Sequence, residues 1–172
     1  MEELKLVRSG KELRKLGAKA FMDYINPIIR EKAYILMDKP VTLKQEKEWL
    51  ESTAKAMDAK SQMKIILFVD RKIAGVCDVM RGRYKEMHNV HFGLSVAKKH
   101  RGKGYGEMLL RKGIQAAKKY FKPHRIWIEH LEGNETARKL YEKLGFIEVA
   151  RLDEYENYFG RWIDKILMRY EN

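Results

Sequence analysis

Residues 90–106 read VHFGLSVAKKHRGKGYG, and residues 134–146 read NETARKLYEKLGF. In the first stretch an apolar-rich run ending at Val96 meets a turn carrying Gly102, Gly104 and Gly106. Tyr105, Met108, Leu109, Ala116 and Tyr120 then recur at helical intervals, so strand, glycine turn and helix follow one another. That order suits phosphate. Glycines let a backbone approach the ligand, a helix start offers free N–H groups and the positive end of a dipole, and Arg101 and Lys103 add full charges. A glycine-rich strand-to-helix turn also occurs as a plain turn, which makes the second stretch important. Two rival phosphate devices fall away: the spacing is not that of a P-loop, and no acidic residue closes a strand ~20 residues later as a dinucleotide fingerprint requires.

Reading outward, Arg125 to Leu131 forms a strand, Asn134 to Leu144 a helix closed by Gly145, and Phe146 to Ala150 another strand. Arg161 to Arg169 is the expected last strand. Upstream, His88 to Val96 is a strand, and Met63 to Val69 and Ile73 to Met80 are two more, joined as a hairpin through Asp70-Arg71-Lys72. Thr42 stands three residues before Gln45, a capping-box spacing, ahead of the apolar stripe Leu43, Leu50, Ala54 and Met57. Glu3 to Arg8 opens the chain as a strand and Lys11 to Met22 follows as a helix. Asn26-Pro27 is expected to break that pattern and to begin a helix or loop reaching Met37. No repeat or linker interrupts this order, and adjacent strands in the middle predict a mixed sheet.

The 172 residues, 45% of them hydrophobic, suffice for one core, so a single domain over 1–172 is expected. The net charge of +12 attracts anions without choosing among phosphate ligands, nucleic acid and membrane. Basic residues are scattered singly, and the densest group, Lys98 to Arg101 with Lys103, flanks the glycine turn. A small phosphate ligand is favoured over a nucleic-acid groove. One cysteine, Cys77, excludes an internal disulfide framework and any multi-cysteine zinc site, and suits a reducing, cytoplasmic setting. No apolar run approaches ~20 residues and no leader pattern is read, so neither membrane span nor signal peptide is expected. Abundant Lys, Glu and Arg with few Asn and Gln lean towards a thermophilic source.

Arg101-Gly102-Lys103-Gly104-Tyr105-Gly106 resembles motif A of the GNAT superfamily of N-acetyltransferases. That motif takes Arg or Gln, two residues, Gly, one residue, then Gly or Ala, positions filled here by Arg101, Gly104 and Gly106. Asn134, Ala137 and the run Leu140 to Phe146 are similar to motif B of the same family. The resemblance covers Ile73 to Met168; the amino-terminal third matches only in its strand and helix order. It implies a mixed, mostly antiparallel seven-stranded α/β sheet with helices on both faces and the fourth and fifth strands splayed apart. It further implies acetyl-CoA as cosubstrate, with Leu94, Ser95, Val96, Arg101 to Gly106 and Asn134 as its contacts. The partner would be an amine, on a small molecule or a protein. A homodimer is left open.

Transfer to an amine needs the neutral amine. A lysine side chain is neutral about once in 2,500 at pH 7, a demand of roughly 4.6 kcal/mol, against about 1 kcal/mol for an α-amino group. Glu129, on the strand twelve residues before Tyr141, occupies the position of a general base in family members. It could also be a surface or ion-paired glutamate. His88, His91 and His130 are the other candidates for a base, because histidine as a residue type changes charge near neutral pH; they lack clustered acidic or cysteine partners, and no metal site is expected. Tyr141 shares a helix face with Ala137, Leu140 and Leu144, which makes it a core tyrosine; in GNAT enzymes that hydroxyl faces the coenzyme sulfur. Asp153, Glu154 and Glu156, among Tyr155, Tyr158 and Phe159, form a local acidic and aromatic patch. The resemblance puts the acceptor rim there, between the last two strands, and acid plus aromatic suits a cationic amine. A solvated hairpin is the other reading. The motifs speak for binding more directly than for turnover, so a non-catalytic coenzyme A or amine-binding module remains the alternative function.

Overall fold

The computed structural model describes residues 1–171. The elements run β1 Glu2–Val7, α1 Gly10–Leu16, α2 Ala18–Arg30, α3 Leu43–Asp58, β2 Gln62–Val69, β3 Lys72–Arg81 and β4 Asn89–Val96. They continue with α4 Tyr105–Tyr120, β5 Arg125–Leu131, α5 Glu135–Lys143, β6 Phe146–Tyr158 and β7 Arg161–Tyr170. The strands form one sheet in the order β1-β2-β3-β4-β5-β7-β6. Every pairing is antiparallel except β4 with β5. This is the mixed α/β sheet that the resemblance implied.

Alternation along the strands builds two cores. Ile65, Leu67, Cys77, Val79, Phe92 and Ile128 face α4 and α5, where Leu109, Leu110, Ile114 and Tyr141 meet them. Ile66, Ile73 and Val76 face the other way, against Leu13 of α1, Phe21 and Tyr24 of α2, and Leu50 and Met57 of α3. Each fully buried Leu or Ile contributes about 1.5–3 kcal/mol by leaving water, so the sheet is clamped from both sides. The Asp70-Arg71 turn has φ of 49° and 62°, the left-handed pair that joins strands in a tight hairpin. At α3, Thr42 and Gln45 satisfy each other's backbone N–H groups as a capping box.

Three expectations needed correction. The helix read over Lys11 to Met22 is two helices, because Gly17, at φ 78° and ψ 144°, leaves helical space. Asn26-Pro27 does not break a helix: both lie inside α2, which continues to Arg30. An interior proline costs roughly 3 kcal/mol. The cost is offset by burial of Ile28 and Ile29 and by Asn26, whose amide donates to Val41 O at 2.9 Å and accepts from Val41 N at 2.8 Å. Finally, the strand read as Phe146 to Ala150 runs on to Tyr158, with register shifts after Glu148 and Leu152. Asp153, Glu154 and Glu156 therefore lie within β6 itself, around its second irregularity.

Candidate functional site

Pairing between the parallel strands β4 and β5 stops at Phe92 with Ile128, while β4 runs on to Val96 and β5 to Leu131. Past Phe92, β4 bonds only to β3. Alternate backbone groups of residues 93–96 thus turn into the split instead of into a ladder. The split points at the glycine turn. Gly102 and Gly104 have φ of 74° and 78°, and a Cβ on either would meet nothing within 4 Å, so glycine serves the backbone turn and leaves open space above it. Gly104 caps the sixteen-residue α4 without any side-chain bond, which leaves the first N–H groups of that helix without a side-chain acceptor. Gly106 has another reason to be glycine. A Cβ there would stand 3.2 Å from Leu140 Cδ2, so it sets the close approach of α4 to α5.

The charged members of the turn divide. Arg101 donates from Nε to Val96 O at 2.9 Å and pairs with Glu31 at the end of α2, fastening the turn to β4 and to the helical layer. Lys103 is exposed and, among the described residues, joined to no acidic side chain. Tyr105 is buried and its hydroxyl donates to Glu2 of β1, which leaves its backbone N–H as its contribution to the turn. Leu94 and Val96 pack against the α4 core, and Ser95 faces the opposite side, 2.8 Å from the Tyr24 hydroxyl. Asn134 is the N-cap of α5, accepting from Ala137 N at 3.2 Å.

Glu129 projects from the far wall of the split, on the face away from α4. Lys165 of β7 stands 3.5 Å from Glu129 and 2.6 Å from Glu156, joining the two acids. Burial works against the charged ammonium of Lys165, but its hydrogen bond to Glu156 and the charge of Glu129 outweigh it and hold the pKa above its usual value. Lys165 is accordingly a fixed cation. Asp153 and Glu154 are exposed; the Glu154 N–H donates to Asp164 at 3.0 Å, on a part of the bulge that does not approach Lys165. Of the acidic patch, only Glu156 is brought to Glu129.

Tyr141 is 4% exposed, its ring 6.3 Å from that of His130 and 6.1 Å from that of Phe146. Its hydroxyl has no hydrogen-bond partner among the described residues. Burial pushes its pKa up, and nearby Cys77 and Glu129 push it further. The Cys77 thiol is fully buried and is likewise pushed up, mainly by burial. His88 and His91 are exposed, whereas His130 is buried with Nδ1 on Leu131 O at 3.1 Å. Among the described residues no three metal-ligating side chains come together.

Sequence reasoning missed Lys165, Tyr24 and Asp78, because a lone Lys, Tyr or Asp in an apolar element carries no periodic signal. It also missed how the segment after α2 closes over this face. Tyr34 stacks on Tyr158 at 5.1 Å and 9°, and a crevice forms between Leu36 and Met37 on one side and Leu131, Glu156 and Phe159 on the other.

A split sheet ahead of an uncapped, glycine-fronted helix defines an α/β protein with open space over the turn. The chain belongs to the acetyltransferase (GNAT) family, whose sequence pattern matches residues 29–146. It is 31% identical over 83 residues to the L-amino acid N-acyltransferase MnaT of Escherichia coli K12, covering 48% of this chain and 47% of that protein. The chain thus spans about half the length of the curated relatives it matches. The fold is shared over nearly the whole chain with a ribosomal-protein-alanine N-acetyltransferase from Brucella melitensis, at TM-score 0.82 and 22% identity over 99% of both chains. It is shared also with yncA of Salmonella typhimurium, a putative acetyltransferase solved with its cofactor acetyl-CoA, at TM-score 0.81 and 20% identity over 99% of this chain and 94% of that one. No helix among the described residues is long and apolar enough to cross a membrane.

Proposed function

We propose that the protein transfers the acetyl group of acetyl-CoA to a primary amine by direct attack within a ternary complex. The observation that carries this reading is the split between β4 and β5, which opens beside the glycine turn with Glu129 on one wall and Tyr141 close by. The likeness to yncA, solved with its cofactor acetyl-CoA, supports the cosubstrate.

The residues suit that cosubstrate. Open space over Gly102 and Gly104 and the free N–H groups at the start of α4 fit a pyrophosphate, with Lys103 supplying charge and Arg101 holding the turn in shape. Backbone groups of Leu94 to Val96 that face the split supply donors to the thioester oxygen, and Asn134 lies at the start of the helix beyond. Glu129 takes the proton of the ammonium, the amine nitrogen attacks the thioester carbon, the C–S bond breaks, and the amide and coenzyme A thiol leave. Tyr141 is the hydrogen-bond donor to the departing sulfur. Proton transfer from tyrosine near pKa 10 to a thiolate near 8.5 is already uphill by ~2 kcal/mol in water, and burial of Tyr141 enlarges that gap. Stabilisation of the thiolate by the hydroxyl is therefore the favoured role, with the second proton shed by the attacking nitrogen reaching the thiolate directly or through solvent. Cys77, sealed in the core, stays a neutral thiol and takes no acyl group.

Acid and aromatic groups around the crevice, Glu156 with Tyr158 and Phe159, support a cationic acceptor with an apolar part. The test is release of coenzyme A thiol from acetyl-CoA, with and without leucinamide, phenethylamine, spermidine or an alanine-terminated peptide. Amine-dependent release is expected. Binding of acetyl-CoA without release in the presence of any of these amines would favour a non-catalytic binding module.

A further inference from the structure

We infer that Asp78 is a second acceptor-binding carboxylate, facing Glu129 across a floor made by Gly93. The inference rests on the amine-acceptor reading and deepens it.

The register places these residues in one row. Lys64 pairs with Asp78 across β2 and β3, and Asp78 with Gly93 across β3 and β4. Gly93 and Glu129 are the first residues of β4 and β5 beyond the last paired couple, Phe92 and Ile128. Registered partners in a sheet project from the same face. That face is the one away from α4: Cys77 and Val79, the neighbours of Asp78, lie in the α4 core, as does Ile128, the neighbour of Glu129. Strands stand about 4.8 Å apart, so the Cα atoms of Asp78 and Glu129 are separated by roughly 10 Å, plus whatever the split adds. Two carboxylates at that spacing, with no side chain between them, leave room for one ammonium group.

Gly93 keeps the floor empty. A Cβ on Gly93 would meet only Asp78, its Cβ at 3.6 Å and its Oδ2 at 3.7 Å, with nothing from β5 within 4 Å. The Asp78 carboxylate is held from behind. Lys64, whose side chain is 2% exposed, pairs with Oδ1, while the Asp78 side chain keeps 31% of its surface. Oδ2 accepts no hydrogen bond among the described residues, so it stands over Gly93 with its acceptor capacity unspent. A buried lysine clamped to one oxygen fixes the carboxylate's direction, which a solvated surface aspartate lacks. Tyr24 closes the same side: its hydroxyl meets Ser95, two residues along β4 from Gly93, and Asp78 lies near enough to raise its pKa. Lys165 stands 3.5 Å from Glu129 on the opposite wall, although its closer partner is Glu156. The ammonium of the acceptor would thus approach the thioester between two carboxylates, each with a lysine beside it.

The experiment is steady-state kinetics of thiol release with the best acceptor of the four amines named above, alongside the acetyl-CoA thermal shift. Asp78→Asn should raise the amine KM at least tenfold and leave the acetyl-CoA shift intact. That variant leaves Lys64 buried without its counter-ion, so the double variant Lys64→Met/Asp78→Asn is measured beside it. The double variant should regain stability and keep the raised KM. Gly93→Ala brings its methyl only into ordinary contact with Asp78, so it should fold, bind acetyl-CoA normally and raise the amine KM several-fold. A wild-type amine KM in Asp78→Asn, or its recovery in the double variant, or an unchanged KM in Gly93→Ala, would overturn the inference while leaving the acetyltransferase reading standing. Wild-type protein that releases no thiol with any of the amines would instead overturn that reading, and the inference with it.

Discussion

Glu129 and Tyr141 carry the chemistry of the proposal at the level of single residues. Glu129→Gln and Tyr141→Phe are each expected to lower kcat by about 10- to 10⁴-fold, with acetyl-CoA affinity little changed, as positioned acid–base and hydrogen-bonding groups do. Tyr141 also fills space between His130 and Phe146, so Tyr141→Phe, which keeps the ring, separates the hydroxyl's role from packing. Normal kcat with a lowered Tm in that variant would make the hydroxyl a core feature. His100 gives a pH test of the turn. It is buried, with Nδ1 unpartnered among the described residues and its ring 6.3 Å from that of Tyr105. Burial, then the charges of Lys99 and Lys103, hold its pKa below the usual histidine value. The sign follows directly: below about pH 6.5 the unfolded chain protonates this histidine more readily than the folded chain, so stability is lost as pH falls through that range. Replacing His100 with Gln should flatten the acid side of the Tm profile between roughly pH 7 and 5, measured without ligand.

Among the elements, the glycine turn with α4 and the segment after α2 matter most. Gly104→Asp should abolish the acetyl-CoA thermal shift, because φ of 78° disfavours any side chain and the new carboxylate would face the pyrophosphate. An undiminished shift would reduce the turn to a turn. Asn26→Leu breaks both bonds to Val41, and loss of buried hydrogen bonds of this kind costs about 1–3 kcal/mol. Faster amide exchange over residues 31–41 and a raised amine KM are expected from it, with acetyl-CoA binding retained. The same elements show what could be read in advance. Thr42 with Gln45, the Asp70-Arg71 turn and the stripe of α4 obey local rules, so their elements were legible. Pro27 misled because its penalty is local while its compensation, the Asn26 bonds and two buried isoleucines, comes from distant chain. β6 was read short because its exposed edge position and its bulges erase the alternation that marks a strand. The coenzyme side of the candidate site, Asn134 apart, follows one contiguous stretch and could be proposed from it. The acceptor side is assembled from β3, β4, β5, β6, β7 and α2, so Lys165 and Asp78 emerged only when the register brought them together.

For the molecule as a whole, the excess of twelve positive charges should hasten capture of an anionic cosubstrate, with the association rate for acetyl-CoA falling as salt is added. The same field opposes polycations. A salt-insensitive rate would confine the attraction to contacts within the turn. The central claim, acetyl transfer from acetyl-CoA to an amine, is tested most directly by incubating the wild-type protein with acetyl-CoA and each amine, then quantifying thiol release and N-acetylated product together. Equal amounts of thiol and acetylated amine, rising with amine concentration and formed at least about tenfold more slowly by Glu129→Gln, are the expected result. Tight acetyl-CoA binding with no amine-dependent thiol and no acetylated product would contradict it.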